Sequence, residues 1–142
     1  MTRRVVIDTS SLVSAAIRPE SIPAQAFRKA LDTSLICTSG QHLGELEKVL
    51  RRPYFDNYVA LDARLKLLEA VRLQASHFDV QEVVIESLAH VCRDANDHFL
   101  LALAVVAEAN IIVSSDHDLL TLNPWRGISI LTPAQFLAAS NA

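Results

Sequence analysis

Short runs of branched apolar residues alternate along this chain with stretches whose apolar positions recur every third or fourth residue. Val5-Val6-Ile7, Leu35-Ile36-Cys37-Thr38, Ile111-Ile112-Val113-Ser114 and residues 128–131 are the short runs. Each is bounded by polar residues, which predicts buried strands. Between them the period is helical. Leu12, Val13 and Ala16 mark a short helix that Thr9 or Ser10 can cap and Pro19 ends. Pro23 opens a second helix through Leu31, and Ser39 caps a third over residues 41–51, stopped by Pro53. Leu61, Leu65 and Leu68 place a helix over residues 61–75, residues 94–110 read as a strongly apolar helix, and residues 133–139 as a closing one. A further short strand is expected at residues 78–80 or 83–85. Strands alternating with helices predict an α/β fold with a mostly parallel central sheet. No repeat or break in composition interrupts the 142 residues, so residues 1–142 read as one domain.

Composition narrows the function classes. Hydrophobic residues make up 51 % of the chain, with only 3 glycines and 5 prolines, which argues against a disordered or linker-rich protein. Mean hydropathy is +0.25 and the pI is about 5.9. A formal charge of -3 excludes a bulk electrostatic binder of nucleic acid but leaves room for a local basic rim. Arg3, Arg4, Arg51 and Arg52 are candidates for such contacts, although a solvated surface position is the simpler reading of each. Cys37 and Cys92 lack metal-type spacing and read as reduced thiols, which suits the cytoplasm. The apolar run after Arg3-Arg4 is too short for a signal peptide. The longest apolar stretch, residues 99–107, falls far below the roughly 20 residues that span a bilayer, so no membrane association is expected.

Two of the predicted strands run into acids. Asp8 follows Val5-Val6-Ile7, and Asp116 and Asp118 follow Ile111-Ile112-Val113. In an open parallel sheet, ligands collect outside the carboxyl ends of the strands. Thr9, Ser10 and Ser11 can all cap the first helix, which leaves Asp8 for a site role, with Ser10 able to orient it or to cap. Glu45 and Glu47 flank the stripe of Leu43, Leu46, Val49 and Leu50 on opposite sides, and periodicity does not choose between them. Asp97 shares a helix face with Leu100, Leu101 and Ala104, where a carboxylate needs a metal, a proton or a cation. Asp94, one turn earlier, reads equally as a site residue or a cap, as Asn96 does for capping. Asp116 is the better site candidate than Asp118 because it lies nearer the strand end. His98 and His117 read as exposed or supporting groups. Two carboxylates about 5 Å apart repel by roughly 3 kcal/mol at an effective dielectric near 20. All-oxygen ligation suits Mg²⁺ or Mn²⁺ rather than zinc, and a hard cation in an acidic crevice suits phosphate chemistry.

At these residues the sequence resembles a PIN domain, and is most similar to the stand-alone bacterial and archaeal PIN proteins that form the toxin component of toxin–antitoxin pairs. The resemblance runs through Val5-Val6-Ile7-Asp8-Thr9-Ser10-Ser11, Gly44-Glu45-Leu46 with Arg52-Pro53, Arg93-Asp94-Ala95-Asn96-Asp97-His98-Phe99-Leu100, Ser114-Ser115-Asp116-His117-Asp118 and the ending Ile130-Leu131-Thr132-Pro133. It selects Glu45 over Glu47. Ser10 stands where many members have asparagine, Ala95 where proline is common, and Asn96 in a stretch often richer in aspartate. The resemblance implies a three-layer α/β/α fold around a twisted parallel sheet and Mg²⁺- or Mn²⁺-dependent cleavage of RNA phosphodiesters. It assigns the ion and the catalysis to Asp8, Glu45, Asp97 and Asp116. Ser10, Ser114, Asp118 and Asp94 would surround them. It also implies an RNA substrate, a cognate antitoxin protein and a homodimer. Two other classes place aspartates at strand ends. An aspartate-dependent phosphatase wants a second aspartate two residues after the first, where Ser10 stands, and a phospho-receiver wants paired N-terminal acids and a late lysine. A non-catalytic binding protein on the same fold would be marked by loss of an acid, and all four are present.

Overall fold

The computed structural model describes residues 2–139. Strands β1 (Arg3–Ile7), β2 (Ser34–Ser39), β3 (Ser76–Phe78), β4 (Ile111–Val113) and β5 (Ser129–Leu131) form one parallel sheet in the order β3-β2-β1-β4-β5. Its centre is built from β-branched side chains in register: Val5 lies opposite Ile36 and Ile111, Val6 opposite Ile112 and Ile7 opposite Val113. Such runs favour a sheet covered on both faces, because successive side chains point to opposite sides.

The alternation sorts the helices. Val5, Ile7, Ile36, Ile111 and Val113 share a core with α1 (Thr9–Ile17), α2 (Ile22–Thr33), α3 (Gly40–Leu50), α4 (Leu61–Gln74) and the last helix, α8 (Pro133–Ala138). Val6, Cys37, Ile112 and Ile130 face the opposite core, made with α5 (Glu82–Ser87), α6 (Ala95–Val106) and α7 (His117–Leu120). A 3₁₀ turn, Pro53–Asn57, links α3 to α4. Among the described residues no helix is long and apolar enough to cross a membrane.

Two predicted elements differ. Residues 83–85 belong to α5, where Ile85 is buried and Val83 is 70 % exposed, and the short strand is Ser76–Phe78, paired to β2. The apolar helix ends at Val106 rather than Asn110. Glu108 adopts a left-handed φ of 53°. The amide of Ala109 then donates to Ala104 O, and that of Glu108 to Val105 O, a Schellman closure that releases Asn110 to bond with Arg4.

The order of strands creates the crevice. The connections from β1 to β2 and from β2 to β3 pass over one face, whereas α5 and α6 return over the other to place β4 beside β1. The chain therefore diverges at the carboxyl ends of β1 and β4, the switch point at which parallel α/β sheets take ligands.

Candidate active site

Asp8 leaves the end of β1 with its amide still bonded to Val113 O of β4, at 2.9 Å. Its Oδ1 accepts from the Ser11 amide at 2.9 Å, so Asp8 itself caps α1. This corrects the expectation that Thr9 or Ser10 caps and Asp8 is spared. The helix begins directly after the strand, and the extended residue at their junction is the aspartate. Its Oδ2 accepts from the hydroxyl of Ser114 at 2.7 Å, from that of Ser10 at 3.2 Å and from the Ser115 amide at 3.4 Å. The Asp116 amide donates in turn to Ser114 Oγ at 3.0 Å.

Ser39 caps α3 as expected, accepting from the His42 amide. The helix buries Leu46 and Leu50 and thereby separates its two glutamates. Glu45 is half-buried and lines the crevice, whereas Glu47 pairs with Arg51 at 2.9 Å and Arg72 at 3.7 Å on the surface. Burial raises the pKa of Glu45, and the charge of Asp94 adds to this, with Lys48 and Arg52 opposing.

Asp94 caps α6 by accepting from the Asn96 amide at 2.9 Å, and Asp116 caps α7 by accepting from the Asp118 amide at 3.1 Å. Both also line the crevice. Asp97, in the first turn of α6, is 7 % exposed, and its Oδ2 has no hydrogen-bond donor. Its neighbour is the carboxyl of Asp116, an acceptor, with which it bonds only when one of the two holds a proton. Burial first, then Asp116, and then the charges of Asp94 and Asp118 push the Asp97 carboxyl up to about 7. The carboxylate of Asp118 turns away to Arg93, at 3.4 Å, and contributes to the site through its amide and its field. His98 bonds to Cys92 O, and His117 is exposed; neither lines the crevice.

Sequence reasoning missed His42, which lines the crevice and is 8 % exposed. Its Nε2 donates to Ile7 O at 2.7 Å, leaving Nδ1 as the acceptor of a neutral ring. Burial lowers its pKa, against the pull of the Ile7 carbonyl and Asp8. The signal was present: the cap at Ser39 sets the start of the helix, and His42 stands three residues before Glu45, on the same face.

Asp8, Glu45, Asp94, Asp97 and Asp116 thus surround one cavity of about 360 Å³, which no described lysine or arginine lines. Among the described residues, no three His, Cys, Asp or Glu side chains close into a ready ligand cage; the carboxylates stand along the walls. Five carboxyl groups around one cavity, one of them with a buried oxygen that lacks a donor, fit a hard divalent cation.

Residues 4–118 match the PIN domain family. Over 123 residues the chain is 31 % identical to the uncharacterized protein MJ1680 of Methanocaldococcus jannaschii, covering 84 % of this chain and 74 % of that protein. The fold is similar to PAE2754 from Pyrobaculum aerophilum, with a TM-score of 0.65 and 17 % identity over 97 % of this chain and 91 % of that one. It is similar to a chain of VapBC2 from Rickettsia felis bound to a DNA fragment from their promoter, with a TM-score of 0.63 and 12 % identity over 89 % and 96 % of the two chains. FitAcB from Neisseria gonorrhoeae gives a TM-score of 0.60 and 16 % identity over 92 % and 98 %.

Proposed function

The chain belongs to the PIN domain family, and from that premise we propose that it is a Mg²⁺- or Mn²⁺-dependent endoribonuclease whose ion is held by Asp8, Glu45, Asp97 and Asp116. The observation that carries this reading is Asp97: a carboxylate buried among four others, with one oxygen lacking any donor, has a use only when a cation or proton arrives. When bound, the ion supplies Lewis acidity and lowers the pKa of water, the chemistry that phosphodiester hydrolysis needs.

The chain's own residues do the rest. Ser114 and Ser10 donate to Asp8 Oδ2 and hold its orientation, as supporting donors do for metal-binding carboxylates. Asp97 would hold the cation in place of the proton that burial and Asp116 favour on the metal-free carboxyl. The acidic walls repel phosphate until the site is charged, which makes turnover depend on the cation. An aspartyl-phosphate route is disfavoured because Ser10 occupies the position of the second aspartate. We read the protein further as a toxin held inactive by a cognate antitoxin, a reading that the shared fold with VapBC2 and FitAcB favours; the antitoxin would present a cation to the acids, and the toxin would act as a homodimer in the cytoplasm.

The test is incubation of purified protein with labelled RNA, single-stranded DNA and duplex DNA, with Mn²⁺, Mg²⁺ or chelator. The expected result is RNA cleavage that chelator stops and Glu45→Gln abolishes. Cleavage of DNA alone, or turnover of small phosphate esters alone, would overturn it.

A further inference from the structure

A second concavity, of about 680 Å³, opens beside the acidic cavity and shares Thr9, Ser10 and Glu45 with it, so the two are continuous. Ile17 of α1 and Val49 of α3 give it an apolar floor. Its rim carries Tyr54 and Tyr58, which are 65 % and 63 % exposed. Their ring centroids lie 5.5 Å apart with planes inclined by 53°, and their hydroxyls are 3.4 Å apart, so the rings form an open wedge rather than a closed stack. Two cations, Arg18 and Arg52, also line it, and among the described residues neither enters a salt bridge.

The rim is held firmly. Arg64 of α4 is fully buried, and its guanidinium donates to Leu50 O at 2.7 Å, to Arg52 O at 3.1 Å and to Asp56. That ties both ends of the 3₁₀ turn to the body of the protein. Aromatic faces on a fixed turn, beside two guanidinium groups outside any described salt bridge and next to a cavity suited to phosphodiester chemistry, match the demands of an unpaired nucleotide: a ring for the base and cations for the flanking phosphates.

We propose that this groove seats an unpaired nucleotide of the RNA substrate, its base against Tyr54 and Tyr58 and its phosphates on Arg18 and Arg52, feeding the adjoining strand past Ser10 and Glu45. The proposal rests on the ribonuclease reading of the acidic cavity. It selects single-stranded over duplex RNA, since a paired base offers no free face to the wedge.

The test measures binding of a short fluorescein-labelled single-stranded oligoribonucleotide, and of its duplex, to the full chain in chelator. Cleavage with Mn²⁺ is followed separately. Tyr54→Ala and Tyr58→Ala should each weaken single-strand binding roughly five- to hundredfold. Phenylalanine at either position should restore it, and Arg18→Gln with Arg52→Gln should flatten the salt dependence. Val83→Ala, on the opposite face, serves as the control and should bind as the wild type does. In cleavage, KM should rise more than kcat falls. Alanine variants that bind like the wild type overturn the proposal, as do variants whose only change is in oligomeric mass, which would make the groove an interface between copies. Tyrosine-dependent binding without any RNA cleavage would sustain the groove and sink the ribonuclease reading; cleavage indifferent to both tyrosines would do the reverse.

Discussion

The hydroxyl of Ser114, at the end of β4, donates to Asp8 Oδ2, at the end of β1, across 2.7 Å. Ser114 is fully buried and also accepts from the Asp116 amide, so one hydroxyl sets the spacing of two acids that arise more than a hundred residues apart. Ser114→Ala should lower RNA cleavage about 10- to 100-fold, the usual effect of losing a group that orients a metal-binding carboxylate. It should also destabilise the fold by about 1–2 kcal/mol, since the buried Asp8 Oδ2 loses a donor and the partly buried Asp116 amide loses its acceptor. Urea unfolding alongside kcat/KM checks both; an unchanged rate would remove Ser114 from the site.

Asp8 caps α1 and, in the proposed reading, holds the ion; different substitutions separate the two. Asparagine keeps an acceptor for the Ser11 amide and caps helices well, whereas alanine does not. Asp8→Ala should therefore be about 1 kcal/mol less stable than Asp8→Asn, while both lose cleavage. Thermal unfolding of the pair, beside an RNA assay, reads the two duties independently. Substantial cleavage by folded Asp8→Asn would exclude the carboxylate from catalysis.

Asp97 makes the metal-free protein sensitive to pH. Its folded pKa is raised from the ordinary 3.8 to about 7, chiefly by burial. The folded state thus holds a proton that the unfolded chain has released, and stability present below pH 3.8 is lost as pH rises through about 7. In chelator, the wild-type melting temperature should fall across that window relative to Asp97→Asn, and the variant should be the more stable above it. Mn²⁺ should raise the melting temperature of the wild type and leave that of the variant nearly unchanged. Parallel pH curves for the two proteins in chelator would contradict this.

Four of the five strands were legible because branched apolar runs leave little choice, and Asp8 and Asp116 were legible because they stand where two of those runs stop. Glu45 could not be told from Glu47 by period, since both flank the same stripe. The resemblance chose Glu45, and the packing of Leu46 and Leu50, with the arginines that hold Glu47 at the surface, supplies the physical distinction. Residues 83–85 are β-branched in part and looked like a strand, but tertiary burial of Ile85 against α6 outweighed local preference. His42 was legible only through its place three residues before Glu45 on the same helix face, since one histidine on a helix carries no pattern of its own.

Arg64 is predicted to matter more than its surface neighbours. Replacing it with leucine leaves the Leu50 and Arg52 carbonyls without their donor and should destabilise the protein by about 2–4 kcal/mol. Limited proteolysis should then cut first between residues 50 and 58. A variant as stable and as resistant as the wild type would show that the turn is held by other contacts.

Three acids of the crevice, Asp8, Asp94 and Asp116, each begin a helix. Helix starts reward such residues whether or not any RNA is cut. A descendant that abandoned its chemistry would keep these aspartates under selection for folding alone and would go on looking like an enzyme. Glu45 and Asp97 cap nothing, and Asp97 burdens the metal-free fold. Those two positions are where drift would register first, and an apolar residue at position 97 beside an intact Asp8 would be the mark of a relative that has fallen silent.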